Sequence, residues 1–191
     1  MGREVSAAIA GLREAMKHEK VDPTKGLPED LFVFATSLIP CSNVDLFVTD
    51  PEGRLLLIWR EDEFYGKGWH IPGGCLRMRE TALKRIQETA KREIGSEVLV
   101  DLKRCITREA ISTRESLLTD RLERSHNISL LFPCRLPEGF RITNEGKEEH
   151  TAGYKKWFDA VPEQLLSAHR VLYGDLIEKH FSGQLSWPER V

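Results

Sequence analysis

The sequence predicts an α/β sandwich, and three features carry that prediction. Apolar, strand-like segments occur on both sides of one helical segment, a further helical segment lies near the end of the chain, and no internal repeat or low-complexity tract divides it. Strands that flank a helix pack into layers rather than into separate domains. The chain has 191 residues, which suits one elaborated domain with a substantial core.

The first segment has the periodicity of an amphipathic helix. Val5, Ile9, Leu12 and Met16 recur at steps of four, three and four residues and form one apolar stripe. The Asp-Pro-Thr-Lys-Gly stretch at 22–26 interrupts the pattern. We therefore divide the chain into an N-terminal helix and linker (1–26) and a main domain (27–191). The stripe packs either on that domain or on a second copy of the chain, which favours a homodimer.

Local signals place the remaining elements. The run 55–58 is apolar on both faces, so we expect a central strand in a covered sheet, formed as the return strand of a hairpin after the turn at 50–53. A polar loop is predicted at 60–67 and a charged, mobile loop at 113–125. The predicted helices are 27–38, 81–94, 162–166 and 171–181. The predicted strands are 43–49, 54–59, 69–71, 98–109, 128–136 and 154–159.

Composition excludes several classes of function. The net charge is −2, so we expect neither nucleic acid nor an anionic membrane as a partner. No apolar run reaches about 18 residues, and no basic segment precedes an apolar core at the N-terminus. The four cysteines are widely spaced without a C-x-x-C pair, which disfavours a zinc site and favours a reduced, cytoplasmic protein.

The segment Gly68–Gly74 and the helix after it carry the chemistry. Two glycines after Pro72 allow a tight turn, and a free glycine carbonyl is a good ligand for a hard cation such as Mg²⁺. The helix offers three acids. Leu83, Ile86, Ala90 and Ile94 form the buried stripe of this helix. Glu93 borders that stripe, whereas Glu88 lies about 140° from Glu93 around the helix and points elsewhere. A single well-placed acid predicts a metal site with few protein ligands.

This segment resembles the Nudix box, G-x5-E-x7-R-E-U-x-E-E-x-G-U, where U is apolar. Four positions match, namely Gly74, Glu80, Glu93 and Gly95. The remaining positions depart from it, with Glu88-Thr89 for Arg-Glu, Arg92 for the first acid of Glu-Glu and Ser96 for the last apolar residue. The resemblance implies a Nudix-type α/β/α sandwich with a mixed sheet. Pyrophosphatases of this family use the missing acids to gather several metal ions.

One branch of the family, the GDP-mannose mannosyl hydrolases, has also lost acids of the box and keeps a single Mg²⁺. The likeness to that branch extends over roughly 27–181. It includes the proline and aspartate of 39–46, the strand 56–60 that ends at an arginine, the Gly-Trp-His-Ile-Pro-Gly-Gly segment, and Glu149-His150 before Tyr154-Lys155-Lys156-Trp157. This resemblance implies hydrolysis of a nucleoside diphosphate sugar such as GDP-mannose. Water attacks the anomeric carbon, and the nucleoside diphosphate leaves.

The resemblance also implies roles for individual residues. His150 is the candidate base, with His126 and His70 as rivals, because an imidazole accepts a proton near neutral pH. Arg60 stabilises the leaving diphosphate. Asp45 binds a sugar hydroxyl or is a structural acid. The metal ligands are the Gly74 carbonyl, Glu93 and Glu149.

Two substitutions change the charge of this site relative to that branch. Glu149 replaces a glutamine, which tightens Mg²⁺ or favours Mn²⁺. Cys75 replaces an arginine, and the candidates to compensate for it are Arg77, Arg79, Arg85 and Arg92. Two other functions stay open from the sequence: a pyrophosphatase that cleaves between phosphates, and a Nudix fold that binds a ligand without catalysis.

Overall fold

The computed structural model describes residues 2–62, 65–111 and 126–189. The predicted mobile loop at 113–125 lies outside these residues. Within them the helices are α1 (Arg3–His18), α2 (Glu29–Leu38), α3 (Ala82–Glu93) and α4 (Ser167–Phe181). The strands are β1 (Cys41–Val48), β2 (Leu55–Asp62), β3 (Gly66–His70), β4 (Gly73–Cys75), β5 (Leu99–Val100), β6 (Ile106–Ile111), β7 (His126–Arg135) and β8 (Lys155–Phe158).

The strands form two sheets. The larger has the order β4-β1-β7-β5, with β6 also pairing with β7, and the smaller has the order β3-β2-β8. Strands β1 and β7 are parallel, with the register running from Cys41↔Asn127 to Val48↔Cys134. Every other pairing between these strands is antiparallel. The predicted mixed sheet is confirmed.

Helices α3 and α4 cover opposite sides of the strands. Val44 and Leu46 of β1 pack in one core cluster with Ile86 and Ala90 of α3. Phe47 of β1 packs in a second cluster with residues of α4, including Tyr173 and Ile177. Alternate residues of a strand point to opposite faces, so this division gives the three layers of an α/β/α sandwich.

Strand β2 is buried on both faces, as its apolar run predicts. Leu55 and Leu57 join the α4 cluster and Leu56 joins the α3 cluster, each fully buried. The predicted hairpin of β1 and β2 is wrong, because the two strands lie in different sheets and their backbones pair only at the isolated bridge Thr49↔Leu55. Strand β1 already has β4 and β7 as its neighbours, which leaves no edge for β2.

Three further predictions are corrected. Strand β2 continues to Asp62 and pairs with β3 from Gly66, so the predicted polar loop is shorter. The segment 98–109 divides into β5 and β6, because Asp101 accepts a hydrogen bond from Lys103 N–H in an intervening turn. The segment 162–166 is a turn rather than a helix, because its backbone is hydrogen-bonded to Trp69 on both sides.

Helices α1 and α3 form where the sequence predicts them, with two differences in burial. Helix α3 packs on the strands through Ile86, Ala90 and Ile94, so Leu83 in its first turn stays 43% exposed instead of buried. Helix α1 has no buried residue, and its apolar stripe faces outward. The homodimer therefore stays a prediction. Within the described residues, no helix is long and apolar enough to cross a membrane.

Candidate active site

A cavity of about 1100 Å³ lies beside β4 and along one face of α3. It brings together four of the six predicted site residues, Asp45, Arg60, Gly74 and Glu93. One wall is apolar and comes from α2, with Phe32 and Ala35. Another wall is cationic and carries the guanidinium groups Arg77, Arg79, Arg85 and Arg92, of which the last two pair with Glu80 and Glu93. The cavity therefore suits a ligand with an apolar end and an anionic end.

The two glycines of β4 allow this strand, which forms the floor of the cavity, to lie close to β1 and α3. Gly73 pairs with Asp45 of β1, and a Cβ atom at Gly73 would overlap the Asp45 carboxylate. A Cβ atom at Gly74 would lie 2.8 Å from the Thr89 hydroxyl of α3. Only glycine fits this close approach of strand, strand and helix, which explains the Gly-Gly pair of the sequence.

Glu93 is the acid that α3 presents to the cavity, as predicted from the helical geometry. Its side chain is 18% exposed, and its Oε2 atom lies 3.6 Å from His70 Nε2. The His70 Nδ1 atom lies 2.7 Å from the Ile58 carbonyl, to which it donates, so Nε2 is left to face the carboxylate. Burial opposes ionisation of Glu93, but hydrogen bonding and charge from His70 and Arg92 lower its pKa. The carboxylate is therefore ionised at neutral pH.

Arg92 places a positive charge where the Nudix box has an acid. Its Nη2 atom donates to Glu93 Oε1 at 2.6 Å and to the Gly73 carbonyl at 3.2 Å. The guanidinium thus bridges a carboxylate and a glycine carbonyl. These are the two kinds of oxygen that a divalent cation would use.

The protein offers few oxygen ligands for a divalent cation in this cavity. Across residues 2–62, 65–111 and 126–189, no group of three or more His, Cys, Asp and Glu side chains is arranged to hold a metal. Glu93 Oε2, however, is buried and makes no short hydrogen bond among those residues, and it lies 3.6 Å from His70 Nε2. A carboxylate oxygen that is held this weakly, beside the Gly74 strand, fits a hard cation whose other ligands are substrate phosphate oxygens and water.

Asp45 of β1 is buried against α4. Tyr173 donates its hydroxyl to Asp45 Oδ2 at 2.5 Å. Burial raises the pKa of Asp45 to about 6, although hydrogen bonds from Tyr173 and Ser129 oppose the shift. The contact with Tyr173 shows a structural role for this acid, and its binding to a sugar hydroxyl stays a prediction.

Arg60 lies at the end of β2, where the sequence predicts it. Its guanidinium pairs with Asp62 and lies 4.4 Å from the centre of the Tyr65 ring. The extension of β2 beyond its predicted end is what brings Asp62 beside it. These two contacts orient a cation that is 33% exposed toward the cavity.

Glu149 and His150 lie on a loop at the rim of the cavity rather than in its lining. The residues on either side of them, Lys147 and Ala152, do line the cavity. His150 has a φ of 68° and is exposed, with its ring centroid 4.4 Å from that of Trp59. The Glu149 carboxylate accepts a 2.6 Å hydrogen bond from Lys156, which lowers its pKa. The structure therefore does not bring Glu149 next to Glu93, and both roles stay predictions.

The rival bases differ in position. His126 Nε2 lies 2.7 Å from Glu109 on the neighbouring strand and does not line the cavity. His70 is buried, lines the cavity and faces Glu93. The sequence alone does not distinguish His126 from His70 as the base, because strand pairing determines which of them lies at the cavity.

Two residues of α4 and one of the box acids escaped the sequence reasoning. His169 is buried beside His70, accepts a hydrogen bond from Ile71 N–H at 3.2 Å, and has its pKa lowered well below 6.5 by burial. It lies four residues before Tyr173, and this helical spacing was the available signal. The side chain of Glu80, which the sequence identifies only as a match to the box, is buried in a 3.2 Å salt bridge with Arg85 and has a structural role.

The arrangement of two sheets, a glycine strand and one helical acid defines a class that comparison with known proteins identifies. The chain belongs to the NUDIX domain family, whose model matches residues 40–175. The predicted Nudix-type sandwich is confirmed. The match excludes α1 and α2, so α2 adds a wall to the cavity from outside the family domain.

Individual relatives are more distant. Low-salt glycan biosynthesis protein Agl8 from Haloferax volcanii is 32% identical over 79 residues, which is 41% of this chain and 50% of that protein. The chain thus matches half the length of this curated relative. The MutT protein from Methanosarcina mazei has a TM-score of 0.52 at 15% identity, covering 77% of this chain and 97% of that one. The MutT NUDIX hydrolase from Burkholderia pseudomallei has a TM-score of 0.52 at 19% identity, covering 70% and 95%.

Proposed function

We propose that this Nudix hydrolase is a divalent-metal-dependent hydrolase of nucleoside diphosphate sugars. Water attacks the anomeric carbon of the sugar, and the nucleoside diphosphate leaves. Mg²⁺ is the proposed ion, with Mn²⁺ as the alternative. The observation that carries the proposal is the single acid, Glu93, that α3 presents to a cavity with a cationic wall.

The single acid favours attack at carbon over attack at phosphorus. The resemblance implies that pyrophosphatases of the family gather several ions with the acids of the box. Here Thr89 and Arg92 replace two of those acids, and no group of three or more His, Cys, Asp and Glu side chains among the described residues is arranged to hold a metal. One ion neutralises a leaving diphosphate, and this is what departure from an anomeric carbon requires.

The proposed metal ligands are the Gly74 carbonyl and Glu93, with Glu149 as a third. Glu93 is ionised, and its buried Oε2 atom makes no short hydrogen bond that a cation would have to replace. Glu149 joins if the rim loop turns inward and Lys156 releases its carboxylate. When bound, the ion supplies charge for the diphosphate oxygens.

Arg60 and Asp45 are proposed to bind the two ends of the scissile bond. The Arg60 guanidinium, held by Asp62 and Tyr65, pairs with the departing diphosphate. Asp45 lies beside Gly73 at the cavity floor and accepts a sugar hydroxyl in addition to that of Tyr173. The apolar α2 wall then receives the base of the nucleotide.

His150 is proposed as the base that takes a proton from water. Its loop borders the cavity on both sides, and its ring rests against Trp59 rather than in a hydrogen bond that would fix it. Catalytic contacts are often long before substrate binds, so a position at the rim is compatible with this role. His70 is the alternative, because it already faces the cavity.

The relative from Haloferax volcanii supports a sugar substrate. It is named a glycan biosynthesis protein, and glycan synthesis draws on sugars activated by nucleotides. Because the match covers half of that protein, its substrate does not transfer by itself.

The direct test is turnover by the purified protein. With Mg²⁺ and a panel of nucleotide sugars that includes GDP-mannose, we expect free sugar and nucleoside diphosphate, and chelation of the metal should abolish both. Cleavage of other nucleotides without turnover of any nucleotide sugar would refute the proposal.

Arg92 favours a second candidate function, in which the protein binds a ligand without catalysis. The guanidinium already bridges Glu93 and the Gly73 carbonyl, so the site can hold an anion without a metal. Calorimetry separates the two functions. Ligand binding that is unaffected by a chelator, together with the absence of turnover, would favour the binding protein.

A further inference from the structure

Two cysteine thiols meet at the wall of the cavity. The Sγ atoms of Cys41 and Cys75 lie 3.2 Å apart, although 34 positions separate the residues along the chain. Cys41 begins β1 and Cys75 ends β4, and these strands are antiparallel neighbours. The pairing Asn43↔Cys75 places the two cysteines diagonally across the ladder, within reach of each other.

We propose that Cys41 and Cys75 form an oxidisable dithiol, a modification site that a peroxide converts into a disulfide. The site is reached through the cavity, because both residues line it. Cys75 is partly exposed and Cys41 is buried, so Cys75 is the thiol that meets the oxidant and Cys41 is the one that resolves it.

The geometry requires little movement. A disulfide has an S–S length of about 2.05 Å, so the two sulfur atoms must approach by roughly 1.2 Å. Side-chain rotation and the short length of β4, which has three residues, can supply this shift. Cys134 gives the contrast, because its Sγ lies near the Phe132 carbonyl and burial raises the pKa of its thiol. It is an inert core thiol.

The reaction balances with hydrogen peroxide as the oxidant. The Cys75 thiolate attacks one peroxide oxygen, the O–O bond breaks, and a sulfenic acid and water form. The Cys41 sulfur then attacks the Cys75 sulfur, and a second water leaves. Two thiols and one peroxide become one disulfide and two waters, with both cysteines oxidised and the peroxide reduced.

The cross-link acts on the site that the proposed function uses, and this consequence rests on that proposal. Cys75 directly follows Gly74, whose carbonyl is a proposed metal ligand. Cys41 follows the end of α2, so the bond draws the glycine strand toward the apolar wall. Misplacing a reacting group by about 1 Å costs up to about 10²-fold in rate. We expect oxidation to lower turnover at least about tenfold and a dithiol reductant to restore it.

The test begins with the mass of the intact chain. The reduced protein is treated with hydrogen peroxide, free thiols are blocked, and the products are digested without reductant. We expect a loss of two hydrogens and one cross-linked peptide that contains Cys41 and Cys75. Cys75→Ser and Cys41→Ser should abolish it, whereas the matched control Cys105→Ser should leave it intact.

Several results would overturn the modification site. These are sulfinic acid at Cys75 without a disulfide, a cross-link between two chains, or no reaction at peroxide levels that oxidise a small-molecule dithiol. Because the peptide map does not depend on activity, it stays decisive if no nucleotide sugar is turned over. If the cross-link forms in an active enzyme and the rate does not change, the link to the site is wrong while the disulfide stands.

Discussion

Arg92 is the residue that most sets this site apart from the Nudix box. Its guanidinium donates to Glu93 and to the Gly73 carbonyl, and so it occupies oxygens that a cation would otherwise use. A positive group here weakens metal binding through repulsion and holds anionic ligands directly. One substitution therefore decides between a site that relies on a metal and one that relies on arginine.

Arg92→Glu should strengthen metal binding. The change removes the guanidinium and places a second carboxylate beside Glu93, and hard cations gain affinity with each added carboxylate. We expect the dissociation constant for Mn²⁺ to fall about tenfold or more, measured by titration followed by electron paramagnetic resonance. Lys91→Glu is the control, since Lys91 is on the same helix, 53% exposed and paired with Glu97. Equal affinity in the two variants would contradict this account of Arg92.

His150→Ala should lower kcat by roughly 10² to 10⁴ without loss of the fold, because it removes the proposed base. Steady-state kinetics with a circular dichroism check provide the measurement. His126→Ala is the matched control, because His126 is held by Glu109 away from the cavity and should leave the rate unchanged. An unchanged rate in His150→Ala, with a loss in His70→Gln, would transfer the role to His70.

Asp45 should make stability depend on pH. Its pKa is about 6 in the fold, against an ordinary value of 3.8, so the folded protein retains a proton between these values that the unfolded chain has lost. The free energy of unfolding therefore falls as pH rises from about 4 to 6, by about 3 kcal/mol when complete. Asp45→Asn removes this loss, and the amide oxygen still accepts from Tyr173.

Urea unfolding at pH 4.5 and pH 7.5 measures this effect. The quantity to compare is the free energy of unfolding of Asp45→Asn minus that of the unmodified protein. This difference should be larger at pH 7.5 than at pH 4.5, by about 2 kcal/mol. Asp159→Asn, which changes an exposed acid, should show no such difference. If both variants shift alike, the pKa of Asp45 is not raised in the fold.

The site was predictable where helical geometry determined it. The position of Glu93 at the border of the core followed from residues one and two turns away on the same helix. Tyr173 and His169 were missed because their contacts with Asp45 and Ile71 join segments about a hundred residues apart. No local pattern encodes such contacts, and only the packing of α4 on the strands creates them.

Among the elements, β4 has three residues but sets the shape of the cavity floor. It pairs with β1 on one side and packs against α3 on the other. Both contacts depend on the absence of a side chain at Gly73 and Gly74. The chemistry of the site thus depends on a close approach that any larger residue would prevent.

Gly73→Ala should destabilise the protein by about 1–3 kcal/mol, because the added methyl group overlaps the Asp45 carboxylate in a packed region. Thermal and urea unfolding measure the change. Gly11→Ala is the control, since nothing lies within 4 Å of a Cβ atom there and α1 is exposed. It should be neutral or slightly stabilising. If the two variants have equal stability, β4 does not pack as described.

The elements also show why local signals misplace some connections. The turn at 50–53 is present, with the Asp50 N–H donating to the Arg54 carbonyl, yet no hairpin follows it. The strand partners were decided by β7, which lies about 85 positions further along the chain and takes the edge of β1. The apolar run of β2 correctly predicted burial, because burial on both faces does not depend on which strand is the neighbour.

For the whole molecule, the cavity unites three parts of the chain. Within the family domain, β4 supplies the glycines, α3 supplies Glu93 and α4 supplies His169, while α2 adds an apolar wall from outside that domain. Helix α1 takes no part in this core, and its outward stripe is what favours the predicted homodimer. A ligand that spans the cavity must match an apolar wall, several guanidinium groups and the carboxylate of Glu93 at once, and the proposed nucleotide sugar meets these conditions.

The position of bond cleavage tests the central claim most directly. Hydrolysis of a nucleotide sugar in water enriched in ¹⁸O, followed by mass spectrometry of both products, shows which atom the water attacked. Attack at the anomeric carbon predicts the label in the released sugar and none in the nucleoside diphosphate. Label in a phosphate product would contradict the account, because it would show a pyrophosphatase working with one helical acid.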